Sequence, residues 1–120
     1  GICEEKGSGM DKTIFYVELY QLPPVRFQLY ESRTTATVFS YRKFADLDKS
    51  ERVRACYQHA CLKYVSNEKM NNQSFRTRLG IEDKNYPMAS RIIKDALEAK
   101  LIKEENAEGG NRHNYIPYWA

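Results

Sequence analysis

The clearest hydrophobic pattern in the sequence is a stripe of apolar positions that follows Asp48. The stripe recurs at helical spacing over about three turns, which predicts an amphipathic helix with one buried face. Its members are Val53, Cys56, Tyr57, Ala60, Cys61, Tyr64 and Val65. Asp48 and Glu51 have capping-box spacing at the start of this helix, and Ser66-Asn67 is expected to end it.

Two further helices are predicted after the first. The second covers 73–79, with Asn72 as its candidate cap and Gly80 closing it. Residues 81–86 are expected to form a turn, and Pro87 suits the first position of the third helix. One face of the third helix is apolar and is formed by Ala89, Ile92, Ile93, Ala96, Leu97 and Leu101. The opposite face is charged and carries Arg91, Lys94, Asp95 and Glu98.

A hairpin is expected beyond the third helix. Residues 101–104 can form a strand, 106–111 a loop that contains Gly109-Gly110, and 113–118 a returning strand. Three helices followed by a glycine-tipped hairpin are typical of the winged helix-turn-helix plan. The sequence therefore predicts an α+β protein in which residues 48–120 form a winged helix-turn-helix domain.

The N-terminal third of the chain has a different pattern. Residues 10–20 have a broad apolar face and are predicted to be helical, and Pro23-Pro24 stops that helix. Residues 25–30 alternate as in a strand with one buried face, and 35–40 can return as the second strand of a hairpin. A helix and a two-stranded hairpin bury too little apolar surface to be stable alone. We therefore expect this region to pack against the rest of the chain or a second copy, with 41–47 as a linker.

Positive charge is concentrated in the middle of the sequence. The whole chain has a net charge of +3, whereas the segment from Lys63 to Lys94 has seven basic and three acidic residues, a local net charge of +4. Such an asymmetry favours a surface that contacts nucleic acid. The alternative is an ordinary solvated helix face, in which Arg91, Lys94 and Glu98 form pairs four residues apart.

The third helix of the domain is the candidate reading helix, because the second helix of a helix-turn-helix motif enters the major groove with its N-terminal part. Arg91 can pair there with a guanine edge or with a phosphate. The full set of predicted DNA contacts is Gln73, Arg76, Asn85, Tyr86, Ser90, Arg91, Lys94 and Arg112. Arg112 lies on the wing, which also carries the acidic residues Glu104, Glu105 and Glu108. The wing can therefore equally serve only to cover the hydrophobic core, without contacting DNA.

The other reactive residue types form no recognisable site. Cys3, Cys56 and Cys61 lack metal-ligand spacing and are interpreted as reduced thiols. His59 is expected to be structural, since a metal site needs more ligands. No nucleophile–base pair or carboxylate pair has a context that indicates catalysis, so the sequence predicts neither an enzyme nor a metal site. A cytoplasmic protein without membrane contact is expected, because no apolar run has membrane-spanning length and no leader opens the chain.

Four stretches of the sequence resemble the C-terminal part of a family of bacterial transcriptional regulators that are often labelled helicase-related. They are residues 3–11 (CEEKGSGMD), 22–24 (LPP), 90–102 (SRIIKDALEAKLI) and 115–119 (YIPYW). Members of the family join a Schlafen/AlbA-type domain to a divergent ATP-binding domain of the GHKL type (gyrase and histidine kinase) and a winged helix.

The resemblance implies that residues 1–40 are the C-terminal tail of that ATP-binding domain. Gly7 and Gly9 would match its last glycine box, where a helix N-terminus meets the nucleotide phosphates. The earlier nucleotide-binding boxes of the domain are absent from the sequence. We therefore expect no cofactor in this chain, with ATP and magnesium confined to a full-length parent protein.

The leading hypothesis from the sequence is a DNA-binding output domain of a bacterial transcriptional regulator, with double-stranded DNA as its partner. The alternative is a protein–protein interaction or dimerisation module of an ATP-binding regulator. Such a module would form a homodimer through the N-terminal hairpin or the wing, without reading DNA.

Overall fold

The structure, a computed structural model, describes residues 8–105 and 113–120 of the chain. Within these residues the helices are α1 (Ser8–Leu19), α2 (Lys49–Val65), α3 (Asn72–Leu79) and α4 (Tyr86–Glu98). The strands are β1 (Arg26–Tyr30), β2 (Arg33–Thr37), β3 (Ile102–Glu105) and β4 (Asn114–Pro117). They form two antiparallel hairpins, β1–β2 and β3–β4. The predicted α+β class is confirmed.

Helix α2 begins where its capping signal predicts. The Asp48 carboxylate accepts a hydrogen bond from the Glu51 N–H at 2.7 Å, and the Glu51 carboxylate accepts one from the Asp48 N–H at 3.2 Å. This reciprocal box satisfies two backbone amides, one of which would otherwise have no partner within the helix. Four residues of the predicted stripe are buried, namely Cys56, Tyr57, Ala60 and Cys61.

The N-terminal cap of α3 is Asn71, and the prediction of Asn72 was wrong. The Asn71 side chain accepts from the Ser74 N–H at 2.8 Å, and Ser74 Oγ accepts from the Asn71 N–H at 3.1 Å. The serine three residues after Asn71 decides between the two asparagines, because a capping box needs a polar side chain at that spacing. Gly80 ends the helix with a φ of 69°, as its position in the sequence predicts.

Helix α4 starts at Tyr86, one residue before the predicted start, and Pro87 lies in its first turn. The helix packs against both α2 and α3. Its buried face is formed by Ala89, Ile92, Ile93 and Ala96. Because these residues turn one side of α4 into the core, the opposite side is left at the surface.

The β1–β2 hairpin differs from the predicted one in two respects. Its second strand is Arg33–Thr37 rather than 35–40, because Tyr30 pairs with Arg33 across a two-residue turn. The expected alternation also fails to create one buried face. Phe27 is partly buried, whereas Leu29 is 84% exposed. The hairpin therefore presents apolar surface outwards.

The β3–β4 hairpin follows α4 and is extended by one residue from the α2–α3 connection. Met70 exchanges two backbone hydrogen bonds with Tyr115 of β4, at 3.3 and 2.8 Å. A strand-like residue thus lies beside β4, on the edge away from β3. The predicted loop with Gly109-Gly110 lies outside the described residues.

A single hydrophobic core joins the N-terminal region to the three later helices. Ile14 and Val17 of α1, together with Val25, are buried in the same cluster as residues of α2, α3 and α4. Near the C-terminus, Trp119 Nε1 donates a hydrogen bond to the Tyr57 hydroxyl of α2 at 3.1 Å. None of the helices in the described ranges combines the length and apolar character needed to cross a membrane.

Residues 41–47, expected to be a linker, lie against the start of α2. Arg42 forms an ion pair with Glu51. The Arg52 guanidinium lies 4.1 Å from the centre of the Phe44 ring and donates to the Phe44 carbonyl at 3.1 Å. These contacts hold the segment in place on the first turns of α2.

Candidate nucleic-acid interface

A groove between α3 and α4 brings together most of the residues predicted to contact DNA. Its volume is about 580 Å³, and residues of and next to β4 bound it on a third side. Five of the eight predicted residues line it: Gln73, Arg76, Tyr86, Ser90 and Lys94. The rest of the lining consists of Asn71, Asn72, Ile93, Leu97, His113 and Tyr115.

Asn72 joins the two helices at this groove, although the sequence interpretation did not count it among the site residues. Its side-chain amide donates to Ser90 Oγ at 2.8 Å and to the Tyr86 carbonyl at 3.1 Å. Its carboxamide oxygen accepts from Arg76 Nε at 2.6 Å. Since both polar ends of the amide are occupied, Asn72 positions the start of α4 against α3.

Arg76, a predicted DNA contact, is engaged within the protein. Its Nε donates to Asn72, and its Nη1 forms an ion pair with Asp83 in the turn before α4. The Arg76 side chain is only 15% exposed. A phosphate at this position would therefore have to compete with the carboxylate of Asp83.

Arg91 and Lys94 on α4 are the exceptions among the basic residues of the middle segment. Both are exposed, and neither forms an ion pair or a hydrogen bond within the part of the chain that the structure describes. The pairs four residues apart that would make α4 an ordinary solvated face are thus not formed. The other five basic residues each have a carboxylate partner: Lys63 with Glu68, Lys69 with Glu105, Arg76 with Asp83, Arg78 with Glu18, and Lys84 with Glu82.

These ion pairs neutralise most of the positive charge that the sequence shows in this segment. Glu18 and Glu105 come from outside the segment from Lys63 to Lys94. Within the described part of the chain, the seven basic residues of the segment therefore have five carboxylate partners, and two cations have none. Those two cations are Arg91 and Lys94. The local excess of charge is therefore smaller than the sequence count, and it is concentrated on α4.

The uncharged predicted contacts lie at the start of α4 and in the first turn of α3. Tyr86 is 58% exposed at the start of α4, and Asn85 is exposed at the end of the preceding 3-10 turn. Ser90 follows Tyr86 by one helical turn, and Gln73 is exposed in the first turn of α3. The N-terminal half of α4 therefore presents both hydrogen-bonding groups and positive charge.

Three further predicted residues cannot be assigned to this surface. Gly9 lies in the first turn of α1. Gly7 and Arg112 lie outside the described residues, so the structure places neither the first glycine of the predicted nucleotide motif nor the arginine of the predicted wing.

The acidic residues of the β3–β4 hairpin that the structure describes are paired with basic partners. Glu104 forms an ion pair with His113 across the hairpin, and Glu105 Oε2 lies 2.8 Å from Lys69 Nζ. Because these carboxylates have basic partners, the negative charge of the hairpin is weaker than the sequence indicates. Glu108 lies outside the described residues.

A second polar cluster, which the sequence analysis missed, lies where α1, α2 and α3 meet. His59 of α2 is 3% exposed, and its Nδ1 lies 2.6 Å from Glu18 Oε1 of α1. Its Nε2 lies 2.9 Å from Ser74 Oγ of α3. The three residues come from distant parts of the chain, and no local pattern could have indicated that they meet.

Arg78 completes this cluster and is withdrawn from the surface. Its Nε lies 3.3 Å from Glu18 Oε2, and its Nη2 donates to the Leu22 carbonyl at 2.7 Å. Nη1 is buried without a hydrogen-bond partner among the described residues. Burial lowers the pKa of Arg78, and the negative charge of Glu18 opposes that shift. Arg78 therefore belongs to the interior, although the sequence count includes it in the basic segment.

The cluster opens on a cavity of about 550 Å³. Glu18, His59, Ser74 and Arg78 contribute the buried polar part of its lining. The apolar part consists of Phe15, Leu19 and Leu62, and Lys63 and Glu68 also line it. No group of three or more His, Cys, Asp or Glu side chains in residues 8–105 and 113–120 is arranged to hold a metal ion.

The helix α3 thus contributes to two concave sites, one predicted from the sequence and one revealed by the tertiary structure. Asn71 and Gln73 line both of them. Comparison of the chain with profiles of protein families, with characterised proteins and with solved structures found no match.

Proposed function

We propose that residues 48–120 form a winged helix-turn-helix domain that binds double-stranded DNA, with α4 as the helix that enters the major groove. The order of elements supports this plan, because α2, α3 and α4 are followed by the β3–β4 hairpin. The bridge between Met70 and Tyr115 supports it further, since it adds a third strand position beside β4.

The observation that carries the proposal is the exposure of two cations on α4 that have no partner in the described chain. Arg91 and Lys94 are exposed and have no partner in the described chain, whereas five neighbouring basic residues are paired. Unpaired guanidinium and ammonium groups bind phosphate without first breaking an internal ion pair, and an arginine can also bond to guanine in the major groove.

The fixed position of α4 adds to this argument. The hydrogen bonds of Asn72 to Ser90 and to the Tyr86 carbonyl hold the first turn of α4 on α3. A helix that is already held in place loses less conformational entropy when it binds. Tyr86 and Asn85 project at the end of α4 that approaches the bases in this class of motif.

In this proposal the domain is the output end of a cytoplasmic bacterial transcriptional regulator. ATP and magnesium would act in other parts of a full-length parent protein. The remnant with Gly7 and Gly9 would bind no nucleotide by itself.

The proposal is tested by measuring the binding of short duplex DNA by fluorescence anisotropy over a series of salt concentrations. We expect the logarithm of the affinity to fall linearly with the logarithm of the salt concentration, because phosphate contacts release counterions. The variant Arg91→Ala/Lys94→Ala is expected to lower the slope by about one for each phosphate contact that is lost.

The matched control is Lys12→Ala/Arg33→Ala, which removes the same charge from exposed positions on α1 and the β1–β2 hairpin. The control should bind DNA nearly as the parent protein does. An absence of duplex binding at low salt, or an equal loss in the two variants, would show that α4 does not read DNA.

A second candidate function, dimerisation through the β1–β2 hairpin, is favoured by one observation. Leu29 is 84% exposed, and Tyr30, the next residue of β1, is 51% exposed. Large apolar side chains that are exposed at the end of a hairpin can form an interaction surface with a second copy. Sedimentation equilibrium distinguishes the two functions: Leu29→Ser should convert a hairpin dimer to a monomer. A stable dimer that covers α4 would contradict direct reading of DNA.

A further inference from the structure

We propose that Ser74, His59 and Glu18 act as nucleophile, base and orienting carboxylate in the hydrolysis of short-chain acyl esters. This activity is separate from DNA binding, because it uses the cavity where α1, α2 and α3 meet rather than the exposed face of α4. It also goes beyond the sequence interpretation, which found no nucleophile–base pair.

The distances between the three side chains are those of an activated serine. Ser74 Oγ lies 2.9 Å from His59 Nε2, and His59 Nδ1 lies 2.6 Å from Glu18 Oε1. When Nδ1 carries the proton and donates it to Glu18, the lone pair on Nε2 faces the serine hydroxyl. A nucleophile in hydrogen-bond contact with a base that a third group orients is the general signature of covalent catalysis.

Glu18 is itself held in position. Its second oxygen lies 3.3 Å from Arg78 Nε, and the buried Arg78 side chain is anchored by a hydrogen bond to the Leu22 carbonyl. Glu18 is therefore a positioning residue. It selects the histidine tautomer and stabilises the imidazolium ion that forms during the reaction.

Ser74 lies in the first turn of α3, where its hydroxyl has two possible acceptors. Oγ lies 3.1 Å from the Asn71 carbonyl oxygen and 2.9 Å from His59 Nε2. Donation to His59 is the reactive arrangement, and donation to the Asn71 carbonyl oxygen is the resting one. The first intrahelical bond runs from the Phe75 N–H to the Asn71 carbonyl. The N–H of Gln73 precedes it, and because Gln73 lines the cavity this N–H can stabilise an oxyanion.

The cavity determines the class of substrate. Its apolar lining of Phe15, Leu19 and Leu62 matches a short hydrocarbon acyl group, and its volume of about 550 Å³ limits the size of that group. Its open side leaves room for the alcohol part of an ester.

The reaction needs only the ester and water. Ser74 Oγ attacks the carbonyl carbon while its proton passes to His59 Nε2. The bond from that carbon to the alcohol oxygen then breaks, and the alcohol leaves with the proton from His59. Water then attacks the acyl carbon and gives one proton to His59. The bond from that carbon to Ser74 Oγ breaks, Oγ takes the proton from His59, and the carboxylic acid is released.

The experiment combines two measurements on the whole chain. A fluorophosphonate probe is added to the folded protein, and the modified peptide is identified by mass spectrometry. Hydrolysis of p-nitrophenyl butyrate is followed in parallel. We expect one adduct on Ser74, and a loss of hydrolysis of at least about a hundredfold in Ser74→Ala. The matched control is Ser50→Ala, which changes an exposed serine in the first turn of α2 and should retain both the adduct and the hydrolysis.

Two further variants separate catalysis from a structural role. Glu18→Gln should lower kcat by about tenfold or more with little change in KM. The substitution disturbs the tautomer of His59 but leaves the cavity that binds the ester unchanged. Arg91→Ala/Lys94→Ala should leave ester hydrolysis unchanged. Absence of an adduct on Ser74 in the folded parent protein, or retention of hydrolysis in Ser74→Ala, overturns the proposal. Because the adduct is measured on the parent protein, it tests the proposal even if the Ser74→Ala variant does not fold.

Discussion

The side chain of Gln58 forms two hydrogen bonds with the backbone of Val25. Its Nε2 donates to the Val25 carbonyl at 2.6 Å, and its Oε1 accepts from the Val25 N–H at 3.0 Å. Both residues are buried. The amide of Gln58 thus takes the place of a neighbouring strand, and it fixes the segment after Pro23-Pro24 on α2.

The first prediction concerns this contact. Gln58→Leu preserves the approximate size of the side chain but leaves the N–H and carbonyl of Val25 buried without partners. Each unsatisfied group costs about 1–3 kcal/mol, so we expect the free energy of unfolding to fall by about 3 kcal/mol. Urea denaturation measures the change. Gln28→Leu, at an exposed position of β1, should change the stability by less than about 0.5 kcal/mol.

The second prediction separates two arginines that the sequence treats alike. Arg91 on α4 has no ion pair or hydrogen bond with any residue that the structure describes, whereas Arg76 is bonded to Asn72 and Asp83. We expect Arg91→Ala to weaken duplex binding by about tenfold, a typical cost for one lost arginine contact. Arg76→Ala should weaken it by less than about threefold. Anisotropy titrations at one salt concentration measure both, and the reverse order would place the DNA contact on α3.

The third prediction is a dependence of stability on pH. The hydrogen bond from Arg42 lowers the pKa of Glu51 below its ordinary value of 4.5. A carboxyl group whose pKa is lower in the folded state stabilises the protein above its unfolded pKa. This contribution is lost as the pH falls through the lowered pKa.

Glu51→Gln tests this dependence, because glutamine can still serve in the capping box. We expect the variant to be less stable than the parent near pH 7, and the difference to shrink toward about pH 3. Chemical denaturation at the two pH values measures it. Glu31→Gln in the exposed hairpin turn is the control, and a constant difference for Glu51→Gln would argue against the ion pair.

The fourth prediction concerns the buried thiols. Cys56 and Cys61 are fully buried, and burial raises the pKa of Cys56. Since the thiolate is the reactive form, neither should be alkylated by iodoacetamide in the folded protein. In a Cys3→Ser background, mass spectrometry should show no adduct under native conditions and two in urea. Rapid native modification would indicate that the α2 core opens readily.

Much of the helical framework could be predicted from the sequence, because its signals are local. The box of Asp48 and Glu51 marks the start of α2, Gly80 ends α3, and Pro87 lies in the first turn of α4. Each of these features depends on side chains within one or two helical turns. The β1–β2 hairpin was predicted less well, since alternation cannot show whether a packing partner exists for Leu29.

The candidate sites, too, depend partly on local sequence signals and partly on tertiary contacts. Helical spacing alone identifies the outward face of α4 with Ser90, Arg91 and Lys94, because periodicity determines which side of a helix faces the core. Only the tertiary structure decided which cations on that part of the chain are free. It paired Arg78 with Glu18 and Lys69 with Glu105, and it gave Arg91 and Lys94 no partner among residues 8–105 and 113–120.

The meeting of Ser74, His59 and Glu18 is likewise a product of packing. Sequence determines what each residue can do and which face of its helix it occupies. Contacts between distant positions form only when α1, α2 and α3 bury their apolar faces together. The hydrophobic effect that drives this packing is not directional. A local sequence pattern therefore does not show which polar groups the packing will bring into contact.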